Sequence, residues 1–358
     1  MNADPIAAPT TIDDIGPAWV SSVLATDHPG AIVDSVVVDF RDDGTNRRAR
    51  LALTYSAGSG PATVFVKAAD PAHKDYIRMT SGMFHEPRLF SGNLELGIEH
   101  PKVYAAVIDE EAYDFILVME DLAARGADPR DALRPLTVEQ AASGVRALGR
   151  LHGRFWDYRS RTHPHLTWLE PFVAFDGLQY APLPSALEHL QPDTCAEVLS
   201  LTIDQLVEAV WKPYISTLTA APTTLLHGDP HIGNTYVTVD GELGFLDWQV
   251  TRRGNFSLDL GYFLQGALTT EDRRNHERAL LEQYRDALAL PAAELPSSED
   301  IWLRYRASVA HGLALWLCTA SASGGLWQRV EVAAALAQRY AYAFGDLDSA
   351  SAIAAITG

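Results

Sequence analysis

Leu226-His227-Gly228-Asp229-Pro230-His231-Ile232-Gly233-Asn234, followed by Phe245-Leu246-Asp247-Trp248-Gln249, is the stretch on which the reading of this chain turns. It sets a carboxylate, a side-chain amide and a second carboxylate in a fixed order. Asn234 follows Asp229 after four intervening residues. Phosphoryl-transfer sites use that interval to pair a proton-accepting Asp with a magnesium-holding Asn. Asp247 ends an apolar run, Leu243-Gly244-Phe245-Leu246, where such sites carry a second metal-binding carboxylate. Moving a γ-phosphoryl group needs little covalent help; it needs an aligned hydroxyl, a place for its proton and cations bridging the phosphates. A surface turn rich in Asp, Pro and Asn accounts for any one of these elements but not for the ordered set. A zinc reading of His227, Asp229 and His231 fits on ligand type, yet no H-x-E or C-x-x-C partner accompanies it.

Working upstream, Val64-Phe65-Val66-Lys67 is an apolar strand ending in a lysine, the type of lysine that pairs with α- and β-phosphates. Taken alone, such a lysine is a solvated strand end; its place ahead of Asp229 suggests more. Glu86 is the candidate acid to anchor it. Pro87 beside it fits only the first turn of a helix, so either Glu86 sits near a helix start or another acid is the partner. Asp42-Asp43-Gly44-Thr45-Asn46, between two strands, reads either as a phosphate-covering turn using the Gly44 backbone and the Thr45 hydroxyl, or as a plain hairpin turn. No G-x-G-x-x-G and no G-x-x-x-x-G-K-[ST] occurs, which removes the main support for Rossmann and Walker-type sites. His85-Glu86 opens like a zinc-protease motif, but Leu89 stands where the second His is required.

Composition narrows the classes. With 358 residues the chain is long for one hydrophobic core, and two lobes are expected. A formal charge of −18 argues against a nucleic-acid or anionic-membrane partner. It tolerates a cationic substrate, although plain solubility explains it equally. Cys195 and Cys318 lie far apart and outside any C-x-x-C pattern, as in a reduced compartment. The N-terminus lacks the basic start and apolar run of a signal peptide, and Ala307–Ala320, the longest apolar stretch, is too short to span a bilayer. A soluble, cytoplasmic protein is expected.

Periodicity places a short amphipathic helix over Ile12–Leu24 and strands over Val33–Phe40, Arg48–Tyr55, Ala62–Ala68, Lys102–Val107 and Tyr113–Met119. Pro71–Asn93 reads as mostly helical, and Ala123–Pro135 as a linker. Beyond it, helical spacing covers Val138–Trp156, Leu199–Leu218, Leu258–Leu268, Glu271–Ala289, Asp300–Thr319 and Val330–Phe344. Two short strands, Thr235–Val239 and Leu243–Leu246, flank a hairpin turn at Asp240-Gly241. The fold class is therefore α+β, with a small β-rich lobe over 1–122 and a larger, mainly helical lobe over 123–358.

On these residues the chain resembles the aminoglycoside-phosphotransferase and choline-kinase-like superfamily, and most closely its ecdysteroid-kinase-like branch. The carrying segments are Gly44-Thr45-Asn46, Phe65-Val66-Lys67, the Glu86 region, Val118–Leu122, His227–Asn234 and Leu246–Gln249, with Arg253-Gly254 leading to Asp259-Leu260. The match runs from about Ile12 to Phe344. The resemblance implies a bilobal protein-kinase-like fold with ATP in the cleft. It implies Asp229 as catalytic base or hydroxyl-orienting group, Asn234 and Asp247 as Mg2+ ligands, and Lys67 on the α/β-phosphates. Val118–Asp121 becomes a hinge, with Met119, Glu120 and Asp121 near adenine; Asp259 braces the catalytic loop, and His227 packs beneath it. The departures are Pro87 and the sparse glycine loop, and they bear on the lysine partner and the phosphate contacts.

The implied partner is a small-molecule alcohol: an aminoglycoside, macrolide, sterol or other hydroxyl compound. Trp156, Trp168, Phe172, Tyr180, Trp211, Trp316 and Trp327 lie in the helical lobe; they read as core, or as a cleft lining suited to a flat apolar alcohol. Two alternatives stand beside this reading. One is a nucleotide-binding module without catalysis. The other is a protein kinase, against which the Gly after His227 and the lack of an Ala-Pro-Glu segment speak.

Overall fold

The computed structural model describes residues 9–41, 44–75, 77, 82–92, 94–158, 163–321 and 328–358. These group into two compact units: Met1–Glu95 with His100–Asp128, and Leu96–Glu99 with Pro129–Gly358. One unit is built on an antiparallel sheet and the other is mainly helical, which is the α+β class expected from the sequence.

The first unit carries strands β1 (Ile32–Arg41), β2 (Asn46–Ala57), β3 (Thr63–Ala69), β4 (Val103–Asp109) and β5 (Asp114–Glu120), in spatial order β1-β2-β3-β5-β4. Successive side chains leave a strand on opposite faces. On β5, Ile116 and Val118 join Val64 and Val66 of β3 in a core with Trp19, Val20 and Leu24. Phe115, Leu117 and Met119 face the other way, against Met83 and Phe84. The helix expected over Ile12–Leu24 is instead a 3-10 turn, Ile12–Asp14, followed by helix α1, Pro17–Leu24. Gly16 and Pro17 explain the break, because proline is accommodated at a helix's first position but not within a continuous one. Within the segment expected to be mostly helical, helix α2 is His85–Ser91. Residues 76, 78–81 and 93 of that segment, like Asp42, Asp43 and Trp327, lie outside the described residues.

In the second unit, helix α3 (Val138–Arg154) precedes short strands β6 (Thr224–Leu226), β7 (Thr235–Val237), β8 (Leu243–Phe245) and β9 (Arg252–Gly254). β7 pairs with β8 across the Asp240-Gly241 turn, where Gly241 adopts φ +83°. β9 returns antiparallel to β6. Helices α4 (Ser257–Ala267), α5 (Thr270–Ala287), α6 (Ser298–Ser321), α7 (Val330–Asp346) and α8 (Ser349–Thr357) follow. Every residue of α4 is buried, so it is the central rod of this unit.

The continuous helix expected over Leu199–Leu218 does not form. Gln205–Trp211 is π-helical, Lys212–Ser216 is α-helical and Thr217–Thr219 is a 3-10 turn. Pro213 has no N–H to give to the carbonyl four residues back, and Lys212 donates five residues back, to the Val207 carbonyl. Among the described residues no helix is long and apolar enough to cross a membrane. Of the aromatic residues singled out in the sequence, Phe172, Trp211 and Trp316 are buried, Trp156 and Trp168 are half-buried, and Tyr180 is exposed.

Candidate active site

In the first unit, strand alternation decides where Lys67 points. It shares a face with Phe65, the face that packs against α2. Its Nζ lies 2.7 Å from Glu86 Oε2, and the two side chains are 6% and 3% exposed. Pro87 is the third residue of α2, inside the first turn, where its missing N–H costs nothing. Breaking a buried pair strands one charge. Lys67→Met is therefore expected to destabilise this unit by about 3–5 kcal/mol. Lys67→Met with Glu86→Gln should recover most of that in urea unfolding; a double variant no more stable than the single one would contradict the pairing.

The Gly44 N–H is used within its own turn, donating to the Asn46 carbonyl at 3.0 Å. Thr45 is half-buried in the same turn, and Asn46 opens β2 as a buried side chain. Met119 and Glu120 lie inside β5, opposite Phe65 and Val64 of β3. The Glu120 carboxylate accepts the Lys102 backbone N–H and Arg125 Nη1, both at 2.8 Å. The Asp121 carboxylate is likewise engaged, by Arg50 Nε at 2.7 Å, the Thr63 hydroxyl at 2.8 Å and the Ala123 N–H at 3.1 Å. It ties strand ends together, and the Asp121 carbonyl accepts the Ala124 N–H at 3.0 Å.

In the second unit, β6 delivers the chain into the 227–234 loop. Asp259, on α4 and fully buried, takes the His227 N–H on Oδ2 at 2.6 Å and the Gly228 N–H on Oδ1 at 2.9 Å. These backbone donors hold an ionised carboxylate well, as charge-assisted bonds do. Gly228 turns with φ +86°, and a Cβ there would sit 2.1 Å from the Val250 carbonyl oxygen. His227 then links two strand ends. Its Nδ1 accepts the Asp229 N–H at 3.2 Å, so its Nε2 carries the proton and donates to the Leu246 carbonyl at 3.1 Å. Both ring nitrogens are thereby occupied, which rules against His227 as a zinc ligand. The ring rests on Trp248, centroids 4.4 Å apart.

Asn234 closes the loop. Its Nδ2 donates to the Asp229 carbonyl at 2.8 Å and to Asp229 Oδ2 at 3.0 Å, which leaves Oδ1 as the acceptor end of the amide. Burial pushes the Asp229 carboxyl well above the usual carboxylate range, and the nearby Asp247 charge pushes it further; the Asn234 and Tyr262 side chains, as hydrogen-bond donors, pull it down. Asp247 itself adopts left-handed backbone, φ +64° and ψ 68°, directly after Leu246. Such a conformation is uncommon outside glycine and gathers at functional sites. His231 Nδ1 accepts the Gly233 N–H at 3.0 Å, and its Nε2 stands 3.9 Å from Asp229 Oδ2. Burial holds His231 down at about 4, so the ring stays neutral at physiological pH. Among the described residues no group of three or more His, Cys, Asp or Glu could hold a metal ion by itself.

Two side chains around this loop went unread in the sequence as site residues. Tyr262 acts on the Asp229 carboxyl from α4, three residues after Asp259 and so on the same helical face. That Asp-x-x-Tyr spacing was the available signal. His152, near the end of α3, reaches Asp259 Oδ2 with Nε2 at 3.2 Å. Only its helical spacing was legible.

Several solved structures are similar in outline. Choline kinase LicA from Streptococcus pneumoniae is 15% identical, with 92% of this chain and 98% of that one covered at a TM-score of 0.48. Choline kinase from Cryptosporidium parvum is 12% identical, with 93% and 95% covered at a TM-score of 0.46. The spectinomycin phosphotransferase APH(9)-Ia, solved with ADP and spectinomycin, is 13% identical, with 96% and 98% covered at a TM-score of 0.45. No curated protein matches the chain by sequence. A family model does: that of the phosphotransferase enzyme family matches residues 51–297, which include Lys67, Glu86, the 227–234 loop, Asp247 and Asp259. With more than half of its length matched, the chain belongs to the phosphotransferase enzyme family.

Proposed function

We propose that the chain moves the γ-phosphoryl group of ATP, with magnesium, onto a hydroxyl group of a small molecule. The observation that carries this reading is the build of the 227–234 loop. Asp229 is oriented by Asn234 at 3.0 Å, on a backbone clamped by Asp259. A half-buried carboxylate held that way can align an acceptor hydroxyl and take its proton as the bond to phosphorus forms.

Magnesium fits the residues present. Asp229 and Asp247 oppose each other's ionisation, an arrangement that a hard divalent cation relieves. The Asn234 Oδ1 and the Asp247 carboxylate are oxygen donors of the kind magnesium takes, with phosphate oxygens and water completing its shell. Asn234 and Asp247 would hold the ion; bound magnesium supplies charge neutralisation on the phosphates. Lys67, fixed by Glu86, would hold the α- and β-phosphates. The Gly44–Asn46 turn and the Met119–Asp121 segment would lie against the nucleotide. His227 and Asp259 hold the loop and do not touch the reacting atoms.

The test is a mass-spectrometric screen of aminoglycosides, macrolides, sterols and simple alcohols for a gain of one phosphate, run with ATP and Mg2+. Transfer to at least one alcohol, abolished by EDTA and restored by Mg2+, is expected. Tight ATP binding with no transfer across the panel would point to a nucleotide-binding module instead, and phosphate on a generic protein but on no alcohol would point to a protein kinase. Asp247→Asn should weaken the Mg2+ requirement's half-saturation on the order of tenfold, since it removes one charged ligand. An unchanged magnesium dependence would remove Asp247 from the ligand set.

A further inference from the structure

Asp259 does not clamp the loop alone. Its Oδ2, which takes the His227 N–H, also faces His152 Nε2 at 3.2 Å. The opposite nitrogen of that imidazole, Nδ1, lies 2.8 Å from the Tyr284 hydroxyl on α5. All three side chains are fully buried. The ring centroids of His152 and Tyr284 are 5.7 Å apart, edge to face.

The proton positions follow from the chemistry of the groups. An ionised Asp259 only accepts, so His152 carries its proton on Nε2. Nδ1 is then an acceptor, and the Tyr284 O–H must donate to it. Burial keeps that phenol protonated, so it stays a donor. The Tyr284 O–H therefore donates to His152 Nδ1, the His152 Nε2–H donates to Asp259, and Asp259 also accepts the two backbone N–H groups directly ahead of Asp229. The members of this network come from α5, α3 and α4. A second tie reinforces it: the Thr224 hydroxyl of β6 donates to the His152 carbonyl at 2.8 Å, three residues before the loop begins.

We propose that His152 and Tyr284 are positioning residues for phosphoryl transfer, setting the His227–Asp229 backbone through Asp259; this rests on the function proposed above. A buried His–Tyr pair that merely filled core would have no reason to end on the N–H groups that precede the reacting carboxylate. Here the tyrosine hydroxyl anchors Nδ1 and so fixes the ring in the orientation that presents Nε2–H to the carboxylate as its third donor. With that donor lost, Asp259 can rotate, and both clamped amides loosen together.

Tyr284→Phe tests this, because it deletes one oxygen and leaves the ring packed. Residue-resolved amide hydrogen exchange is followed on the full chain without ligand. Exchange at His227 and Gly228 should quicken on the order of tenfold, the scale of one lost hydrogen bond. Amides in the middle of α6 should keep their wild-type rates. His152→Gln, which retains an N–H donor but no imidazole, should show the same two amides affected. Unchanged exchange at both amides in both variants overturns the proposal. So does an equal acceleration throughout α6, which is what a purely structural tyrosine would produce. With an acceptor in hand, Tyr284→Phe should lower kcat on the order of tenfold and leave KM for ATP unmoved; a change in KM alone also counts against it. If the wild-type chain transfers no phosphate to any alcohol, the proposed function falls, while the exchange measurement still decides whether the clamp exists.

Discussion

Replacing Asp229 with Asn should lower phosphate transfer by about 10²–10⁴-fold, the range a positioned general base contributes. The substitution keeps the shape of the side chain and lets its remaining oxygen accept from Asn234 Nδ2, as Oδ2 does now at 3.0 Å. What it removes is the lone pair and charge that receive the hydroxyl proton. ATP affinity should stay within a few-fold, because Asp229 is not among the groups assigned to phosphate or metal. Stability should move the opposite way. The carboxyl is pushed well above its ordinary range by burial and by Asp247, so its ionised form costs folding energy at neutral pH. The neutral amide relieves that cost, and Asp229→Asn should melt at or above the wild-type temperature. A variant that transferred phosphate at the wild-type rate would remove Asp229 from the chemistry. One that melted well below wild type would show that the charge repulsion has been misjudged.

Gly228→Ala is expected to be the most damaging single methyl group in the loop. Gly228 sits at φ +86°, where a side chain costs about 1–3 kcal/mol by backbone strain alone. The added Cβ would also lie 2.1 Å from the Val250 carbonyl oxygen, which is backbone and cannot swing away. The loop must then shift relative to the 3-10 turn Trp248–Val250 that follows Asp247. Misplacing a reacting group by about 1 Å can cost on the order of 10²-fold in rate. Transfer should therefore fall at least that far, with a melting temperature several degrees lower. Retained activity with a normal melt would mean that the two segments tolerate separation, and the tight approach would lose its meaning.

How much of this was legible beforehand varies from residue to residue. Lys67 and Glu86 were legible as candidate partners, with another acid left open, because an apolar strand ends in Lys67 and Pro87 confines Glu86 to a helix start. The His227–Asn234 loop was legible because its partners are local: Asn234 reaches back five residues to Asp229, and His227 reaches two residues on. The turn at Gly44–Asn46 was readable as a turn, but that Gly44 spends its N–H on Asn46 was not. The break in Leu199–Leu218 was missed because apolar spacing carries through a π-helical register almost unchanged, while Pro213 decides the hydrogen bonding.

By itself the sequence determined the α+β class, most of the strands along the chain and the phosphotransferase family. Each depends on short-range spacing: a period of two in strands, of about 3.6 in helices, and fixed intervals within one loop. Only the tertiary structure decided that Asp259 closes on two backbone N–H groups, that Tyr262 bears on Asp229, and that His152 joins Asp259 to Tyr284 across sequence separations of 107 and 132 residues. Those contacts arise where three helices pack around a buried carboxylate. Helical spacing tells which face of each helix is buried, but not which buried polar groups will meet.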